Sequence, residues 1–281
     1  MAAIDADAVL DWYAEVRRDL PWRRTRDPYL ILVSEVMLQQ TQVARVVPYF
    51  EAFVARFPTA EALAAAPAAD VLALWSGLGY NRRALALRAA AQAVVRDGWP
   101  ADAAGLRALP GIGPYTAAAV ASFAFGEQVA AVDTNVRRIV ERLDRRAYRP
   151  RELAERAAQL LPPGRAADWN QAMMELGATV CGVRAPGCDI CPVAPCASRG
   201  IPGDIPRPAR RARAAARRFE ETDRYVRGRI VAALVDGAGA GELVAGRALP
   251  AGIDAARVAR ALDGLERDGL IVREGASVRL P

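Results

Sequence analysis

Four cysteines, Cys181, Cys188, Cys191 and Cys196, fall close together in a chain of 281 residues, separated by six, two and four residues. Thiols so grouped suggest one metal or cluster site, because disulfides are not expected in a cytosolic chain. Four thiolates suit either zinc or a [4Fe–4S] cluster. The chain holds no His, which removes Ser–His and Cys–His nucleophiles and any His-ligated zinc. It also holds no Lys, so all 38 cationic side chains are Arg and a lysine Schiff base is excluded. Two carboxylates stand out. Glu35 lies in Val33-Ser34-Glu35-Val36-Met37-Leu38-Gln39-Gln40-Thr41-Gln42-Val43 between apolar neighbours. Desolvation there raises its pKa and suits it to general acid work, with a buried ion pair to an Arg as the plain alternative. Asp133, in Val132-Asp133-Thr134-Asn135-Val136, directly precedes an amphipathic run and taken alone is a helix N-cap.

A third pattern concerns phosphate. Leu109-Pro110-Gly111-Ile112-Gly113-Pro114-Tyr115-Thr116 joins two apolar helical stretches. Its glycines permit positive φ, and the free amides of the next helix would face a phosphate. Most such turns only reverse the chain. Here the small residues Ala117 to Ala121 follow, letting two helices sit close, as in a helix-hairpin-helix. A net charge of +6 favours a polyanionic partner. The charge is concentrated between residues 197 and 218, where seven Arg face Asp204 alone.

The elements that must position these groups are helical. From residue 7 to 197, apolar positions recur at helical spacing between short Pro or Gly breaks, and strand-like alternation is scarce. Helices are expected over 7–17, 29–38, 41–52, 60–65, 69–74, 82–97, 101–109, 116–125, 135–143 and 168–180. Beyond Cys196 a Pro, Gly and Arg-rich stretch reads as an extended linker. After it come a helix over 225–234 and another N-capped by Asp254, with Val258, Leu262 and Leu265 on one face. A short hairpin over 270–272 and 278–280 turns at Gly275, giving a winged-helix-like pattern. The N-terminus lacks a signal sequence and no run reaches the length of a membrane span, so a cytoplasmic protein is expected.

The stretch around Glu35, with Leu20-Pro21-Trp22-Arg23 and Asp27-Pro28-Tyr29 before it, resembles the MutY family of adenine DNA glycosylases over roughly residues 7–198. That resemblance implies a mainly α fold: a helix-hairpin-helix glycosylase core in two helical lobes, with the small winged-helix-like domain after it. A six-helix barrel lobe with the hairpin would span 21–132, and an iron–sulfur lobe 1–20 and 133–199. The Arg-rich linker would cover 200–219 and the winged-helix-like domain 220–281. A typical family member continues into a Nudix-like domain, for which this tail is too short.

The resemblance further implies hydrolysis of the N-glycosidic bond of an adenine mispaired with G or 8-oxoguanine and turned out of double-stranded DNA. In that scheme Glu35 protonates the base and Asp133 stabilises the sugar cation. Tyr115 hydrogen-bonds to these carboxylates, and Asn135 orients Asp133. Arg18, Leu20, Trp22, Arg23, Leu38 and Thr41 belong with the substrate pocket, and Glu175 would read the polar edge of the base. Gln40 and Tyr80, the latter in Gly77-Leu78-Gly79-Tyr80, match residues that wedge beside the opposite base. Gly111, Gly113, Thr116 and Arg184 would face DNA phosphates. Tyr115 stands where bifunctional relatives resembling endonuclease III place a nucleophilic Lys, which implies base release without strand cleavage. The cysteines would hold a [4Fe–4S] cluster, their last spacing one residue shorter than the family's usual five. Rival readings are a glycosylase for mispaired thymine, uracil or hypoxanthine, and a noncatalytic DNA-binding protein. A monomer is expected.

Overall fold

A computed structural model describes residues 4–201, 205, 218–239, 243, 248–250, 252–275 and 277–281. The helices run in the order α1 (Ala6–Val16), α2 (Pro28–Leu38), α3 (Val43–Arg56), α4 (Ala60–Ala65), α5 (Ala68–Trp75), α6 (Arg82–Asp97), α7 (Ala103–Leu106), α8 (Pro114–Phe125), α9 (Thr134–Leu143), α10 (Pro150–Gln159), α11 (Ala166–Thr179), α12 (Asp223–Val235) and α13 (Ala255–Arg267). The fold is mainly α, as expected. Among the described residues the one sheet is a C-terminal antiparallel pair, β1 (Val272–Glu274) with β2 (Ser277–Arg279). No helix among them is long and apolar enough to cross a membrane. Most of the Arg-rich linker, including Arg207, Arg210, Arg211, Arg213 and Arg217, lies outside the described residues.

The chain divides into two compact units. The first comprises Met1–Glu35, Pro100–Ala108 and Ile112–Arg210, the second Val36–Trp99, Leu109–Gly111 and Arg211–Pro281. In the first, α1 and α9 both pack on α11. Their apolar stripes meet in one core containing Val9, Leu10, Tyr13, Val136, Ile139, Val140, Leu143, Trp169, Met173 and Leu176. Truncating a core residue such as Leu176, fully buried, costs about 2–5 kcal/mol through lost transfer energy and the cavity left behind. Helix α10, absent from the sequence expectation, carries Leu153 into this core. Its signals are Pro150 in the first turn and a Glu152 that caps the Arg149 amide at 3.1 Å.

In the second unit α4 and α5 pack on α6, and Phe53, Phe57 and Trp75 meet edge to face. The hairpin residue Gly111 belongs here. Its φ of +75° and a position where a Cβ would lie 2.5 Å from the Ala86 methyl both require glycine. Helices α12 and α13 pack together through Val226, Ile230, Val258, Leu262 and Leu265, with the hairpin after them. Asp254 caps α13 by accepting from the Arg257 amide at 2.7 Å, as its sequence position predicts. This C-terminal module docks on the helices of its own unit: α12 touches α5, Arg82 pairs with Asp268 at 3.6 Å, and the Ala69 amide donates to the Pro281 carbonyl at 3.1 Å.

Candidate active site

Helix α2 is apolar on nearly every face, so it is buried on most of its circumference and takes Glu35 in with it. Glu35 is only 5% exposed. One of its carboxylate oxygens, Oε2, is buried with no hydrogen-bond partner. Burial pushes the Glu35 pKa up to about 7; a hydrogen bond from Tyr115 and the Arg23 charge oppose the rise, and the nearby Asp133 charge adds to it. The expectation of a carboxyl protonated near neutral pH is met. The alternative of a buried ion pair is not seen, for no Arg bonds to Glu35 among the described contacts.

Asp133 is partly buried and its pKa is likewise raised by burial, but its oxygens are hydrogen-bonded. It caps α9, accepting from the Val136 amide at 2.7 Å on Oδ1 and from the Asn135 side-chain amide at 2.8 Å on Oδ2. Burial raises its pKa, while these donors and Arg138 pull it back toward the charged form. The helix N-terminus favours a negative charge at the same place. Tyr115, in the first turn of α8, feels the charge of both carboxylates; its hydroxyl is in reach of Glu35 and 3.6 Å from the Met174 sulfur. Burial and the two acidic neighbours drive its pKa well above the ordinary phenol range, so it stays a donor. The arrangement offers a buried carboxyl whose proton is held up to about pH 7, a second carboxylate held by hydrogen-bond donors, and a tyrosine hydroxyl near them.

A second cluster is built on α11. Glu175 is fully buried and accepts from Arg18 at 2.6 and 2.9 Å and from Arg23 at 2.8 Å. Burial alone would raise its pKa, but the two guanidiniums outweigh it and hold Glu175 below the usual carboxylate range. Both oxygens are thereby occupied. The sequence expected Glu175 to read the polar edge of a base; in the structure its carboxylate pairs with Arg18 and Arg23. Arg23 also stacks on Tyr13, whose hydroxyl donates to Gln171 at 2.8 Å. Leu20 and Trp22 are buried beside a short 3₁₀ turn, Pro21–Arg23, that presents Arg23. Thr116, expected among the phosphate contacts, has a buried side chain; the N-terminal turn of α8 keeps Gly113 and Pro114 at its start.

The cysteine loop is irregular, and its carbonyls are held by arginines. Arg142 donates to Gly182 O at 2.6 Å and Val183 O at 2.9 Å, and its guanidinium lies 3.3 Å from the Cys181 sulfur. Arg138 ties Cys181 O, Gly177 O and Asn135 Oδ1 together at 2.8, 2.6 and 2.8 Å. Arg199, which the sequence placed with the basic linker, binds the carbonyls of Cys188, Cys191 and Val193 at 2.7 to 2.9 Å. All four cysteines are free thiols lining one cavity of about 580 Å³, with Arg184 among its other walls. No three His, Cys, Asp or Glu groups among the described residues converge as a single ion would require. Four thiols spread around one roomy cavity suit a group with several metal atoms.

In the second unit, Leu38 ends α2 and Gln40, Thr41 and Tyr80 lie on loops. Gln40 and Tyr80 both adopt the left-handed backbone, with φ of +59° and +50°, and the Tyr80 hydroxyl donates to Gln40 Oε1. Arg83, another residue the sequence did not single out, binds the carbonyls of Val36, Gln39 and Gly79 and so ties the two loops together.

With this geometry in view, residues 33–163 match the family described as HhH-GPD superfamily base excision DNA repair protein. An adenine DNA glycosylase of Mycobacterium tuberculosis strain H37Rv is 44% identical over 281 residues, covering 94% of this chain and 89% of its own. The chain belongs to the adenine DNA glycosylase family. Its relative from Mycolicibacterium smegmatis, also an adenine DNA glycosylase, is 47% identical and covers 81% of this chain and 79% of its own. Family likeness therefore runs well beyond residue 198, where the sequence motifs alone suggested that it ended. Among solved structures, a thermostable thymine-DNA glycosylase superposes with a TM-score of 0.62 at 33% identity, over 66% of this chain and 90% of that one.

Proposed function

We propose that this chain is a monofunctional base excision repair glycosylase that hydrolyses the N-glycosidic bond of adenine mispaired with G or 8-oxoguanine in double-stranded DNA. The observation that carries the reading is Glu35 Oε2: a buried oxygen without a partner, on a carboxyl that keeps its proton up to about pH 7. Adenine is a poor leaving group as an anion, so cleavage near neutral pH needs an acid at N7. In this reading Glu35 gives that proton as the bond between C1′ and N9 breaks, and the bonding electron pair leaves with the base. Asp133 holds the sugar cation by charge alone, its lone pairs kept in place by the Val136 and Asn135 donors. Water then adds to C1′ and its proton returns to Glu35. Tyr115 donates to Glu35, and Arg18, Leu20, Trp22 and Arg23 line the base pocket.

Cys181, Cys188, Cys191 and Cys196 are the residues that would hold a [4Fe–4S] cluster. Such a cluster would supply structural order to the loop that carries Arg184 toward phosphates. The same reading assigns residues 21–132 to the hairpin lobe and 1–20 with 133–199 to the cluster lobe. Gly111 and Gly113 belong to the phosphate-facing turn, and Leu38, Gln40, Thr41 and Tyr80 to the base-contacting surface. The deciding experiment is a base-release assay on duplexes placing A, T, U or hypoxanthine opposite G and 8-oxoguanine. Release of adenine above the others supports the reading, and preferential release of thymine refutes it. Borohydride should trap no stoichiometric protein–DNA adduct, because the chain has no Lys to form one.

A further inference from the structure

The cysteine loop holds one polar atom that its own contacts leave over. Ser198 stands two residues after Cys196, and its hydroxyl oxygen is buried with no hydrogen-bond partner among the described residues. Ser198 also lines the cavity of about 580 Å³ whose walls include Cys181, Cys188, Cys191 and Cys196. Its backbone is fixed on both sides. The Ala197 amide donates to Leu143 O at 2.9 Å, the Arg199 amide to Cys196 O at 3.1 Å and the Ile201 amide to Ser198 O at 3.1 Å. The Arg199 guanidinium ties the same segment to the carbonyls of Cys188, Cys191 and Val193. So anchored, the hydroxyl has mainly rotation about its own side-chain bonds with which to find an acceptor.

A buried hydroxyl left unpaired carries its full desolvation penalty, and native folds seldom keep such a group without a use for it. The arginines of the loop already have protein acceptors. Arg138 binds Cys181 O and Gly177 O, and Arg142 binds Gly182 O and Val183 O while lying 3.3 Å from the Cys181 sulfur. Ser198 differs from them in being neutral, short and uncommitted. The sulfurs around a multi-iron centre are hydrogen-bond acceptors, and hydrogen bonds to them are one of the means by which a fold sets its reduction potential.

We infer that Ser198 donates its hydroxyl hydrogen to a sulfur of the iron–sulfur group held by the four cysteines, and so sets how readily that group gives up an electron. The inference deepens the cluster assignment proposed above and rests on it. A hydrogen-bond donor stabilises the reduced, more negative state of a sulfur-ligated centre more than the oxidised state. Removing the donor therefore lowers the reduction potential. The net contribution of one hydrogen bond corresponds to about a fivefold change in the ratio of oxidised to reduced protein, which is about 40 mV for one electron at about 59 mV per tenfold.

The test uses the full chain as purified, with iron and acid-labile sulfide assayed first and the midpoint potential then read by voltammetry of the protein on an electrode. The wild type should carry about four irons per chain. In Ser198→Ala the midpoint should fall, so that at the wild-type midpoint the ratio of oxidised to reduced protein is about fivefold higher. Ser198→Thr, which keeps the hydroxyl, should leave that ratio within twofold of wild type. Ser198→Val has the shape of the threonine variant without its hydroxyl; it should behave as alanine does, and the threonine–valine comparison serves if Ser198→Ala does not fold. Iron–sulfur stretching bands in the resonance Raman spectrum should shift in D2O for wild type and Ser198→Thr, and less for the variants without a hydroxyl. Equal midpoints with and without the hydroxyl overturn the inference, even if the melting temperature falls. Four irons with an unmoved potential would refute the role of Ser198 alone. A colourless protein holding zinc would refute the cluster and this inference with it.

Discussion

Gly177 of α11 lies against Asn135 so closely that a methyl group built on it would stand 2.4 Å from the Asn135 Cβ. Asn135 in turn holds Asp133 Oδ2 at 2.8 Å. The glycine is therefore two steps from the proposed cation-stabilising carboxylate, linked to it only by contact. Gly177→Ala should push Asn135 aside and lower single-turnover base release about 10- to 100-fold, because small misplacements of a reacting group are costly. DNA affinity should stay within about threefold, and a rate within twofold of wild type would show that Asn135 does not orient Asp133.

Glu35→Gln removes the transferable proton while keeping the shape of the side chain. Adenine release should fall by at least about 10³-fold, within the range that general acid catalysis supplies. In the wild type, single-turnover rate should be level below about pH 7 and fall close to tenfold per unit above it, following loss of the proton from Glu35. A profile that stays flat to pH 9 would remove Glu35 as the acid.

The same group affects stability with a definite sign. Its pKa of about 7 in the fold lies above the ordinary 4.5, so the unfolded chain ionises first as pH rises. Stability present below pH 4.5 is thus lost progressively up to about pH 7 and remains lost above it. Glu35→Gln should relieve this penalty, raising stability at pH 8 by up to about 3 kcal/mol and leaving it nearly unchanged at pH 4. Denaturant melts at the two pH values check the difference; equal effects at both would contradict the proposed burial penalty.

Arg199 offers a test of the cysteine loop that leaves the thiols untouched. Arg199→Ala frees three carbonyls, those of Cys188, Cys191 and Val193. Partly exposed bonds of this kind together contribute about 1–2 kcal/mol. The variant should therefore melt a few degrees lower, and the absorbance of the proposed cluster should be lost faster under chelator. An unchanged rate of loss would mean that the loop keeps its shape by other contacts.

How far the sequence disclosed this architecture depended on the range of each interaction. Helices were readable where local periodicity and punctuation agreed: the expected and observed limits coincide for α4 and α6. Helix α10 escaped although its Pro150 and Glu152 signals are local, because its short stripe was not matched to a core. Glu35 was readable because an acidic residue in an apolar run already implies desolvation. The sequence could not separate Glu175 as a reader of bases from Glu175 as a partner of arginines, since Arg18 and Arg23 are more than 150 residues away. Likewise Arg83, Arg138, Arg142 and Arg199 bind backbone carbonyls brought near only by the fold, and no spacing marks an arginine for that task. The contact from Arg224 to Tyr80 spans 144 residues and joins a C-terminal module to a loop early in the chain.

Asp133 serves α9 and the proposed chemistry with the same two oxygens. Architecture and reactivity therefore share the same carboxylate. Asparagine is as good a starting residue for a helix as aspartate, so it could keep the Val136 cap, but its NH2 would face the Asn135 NH2 donor in place of the Oδ2 acceptor. Alanine at the same position would instead unsettle the helix itself. Drift at this residue therefore touches fold and proposed chemistry together, even where it leads through Asn.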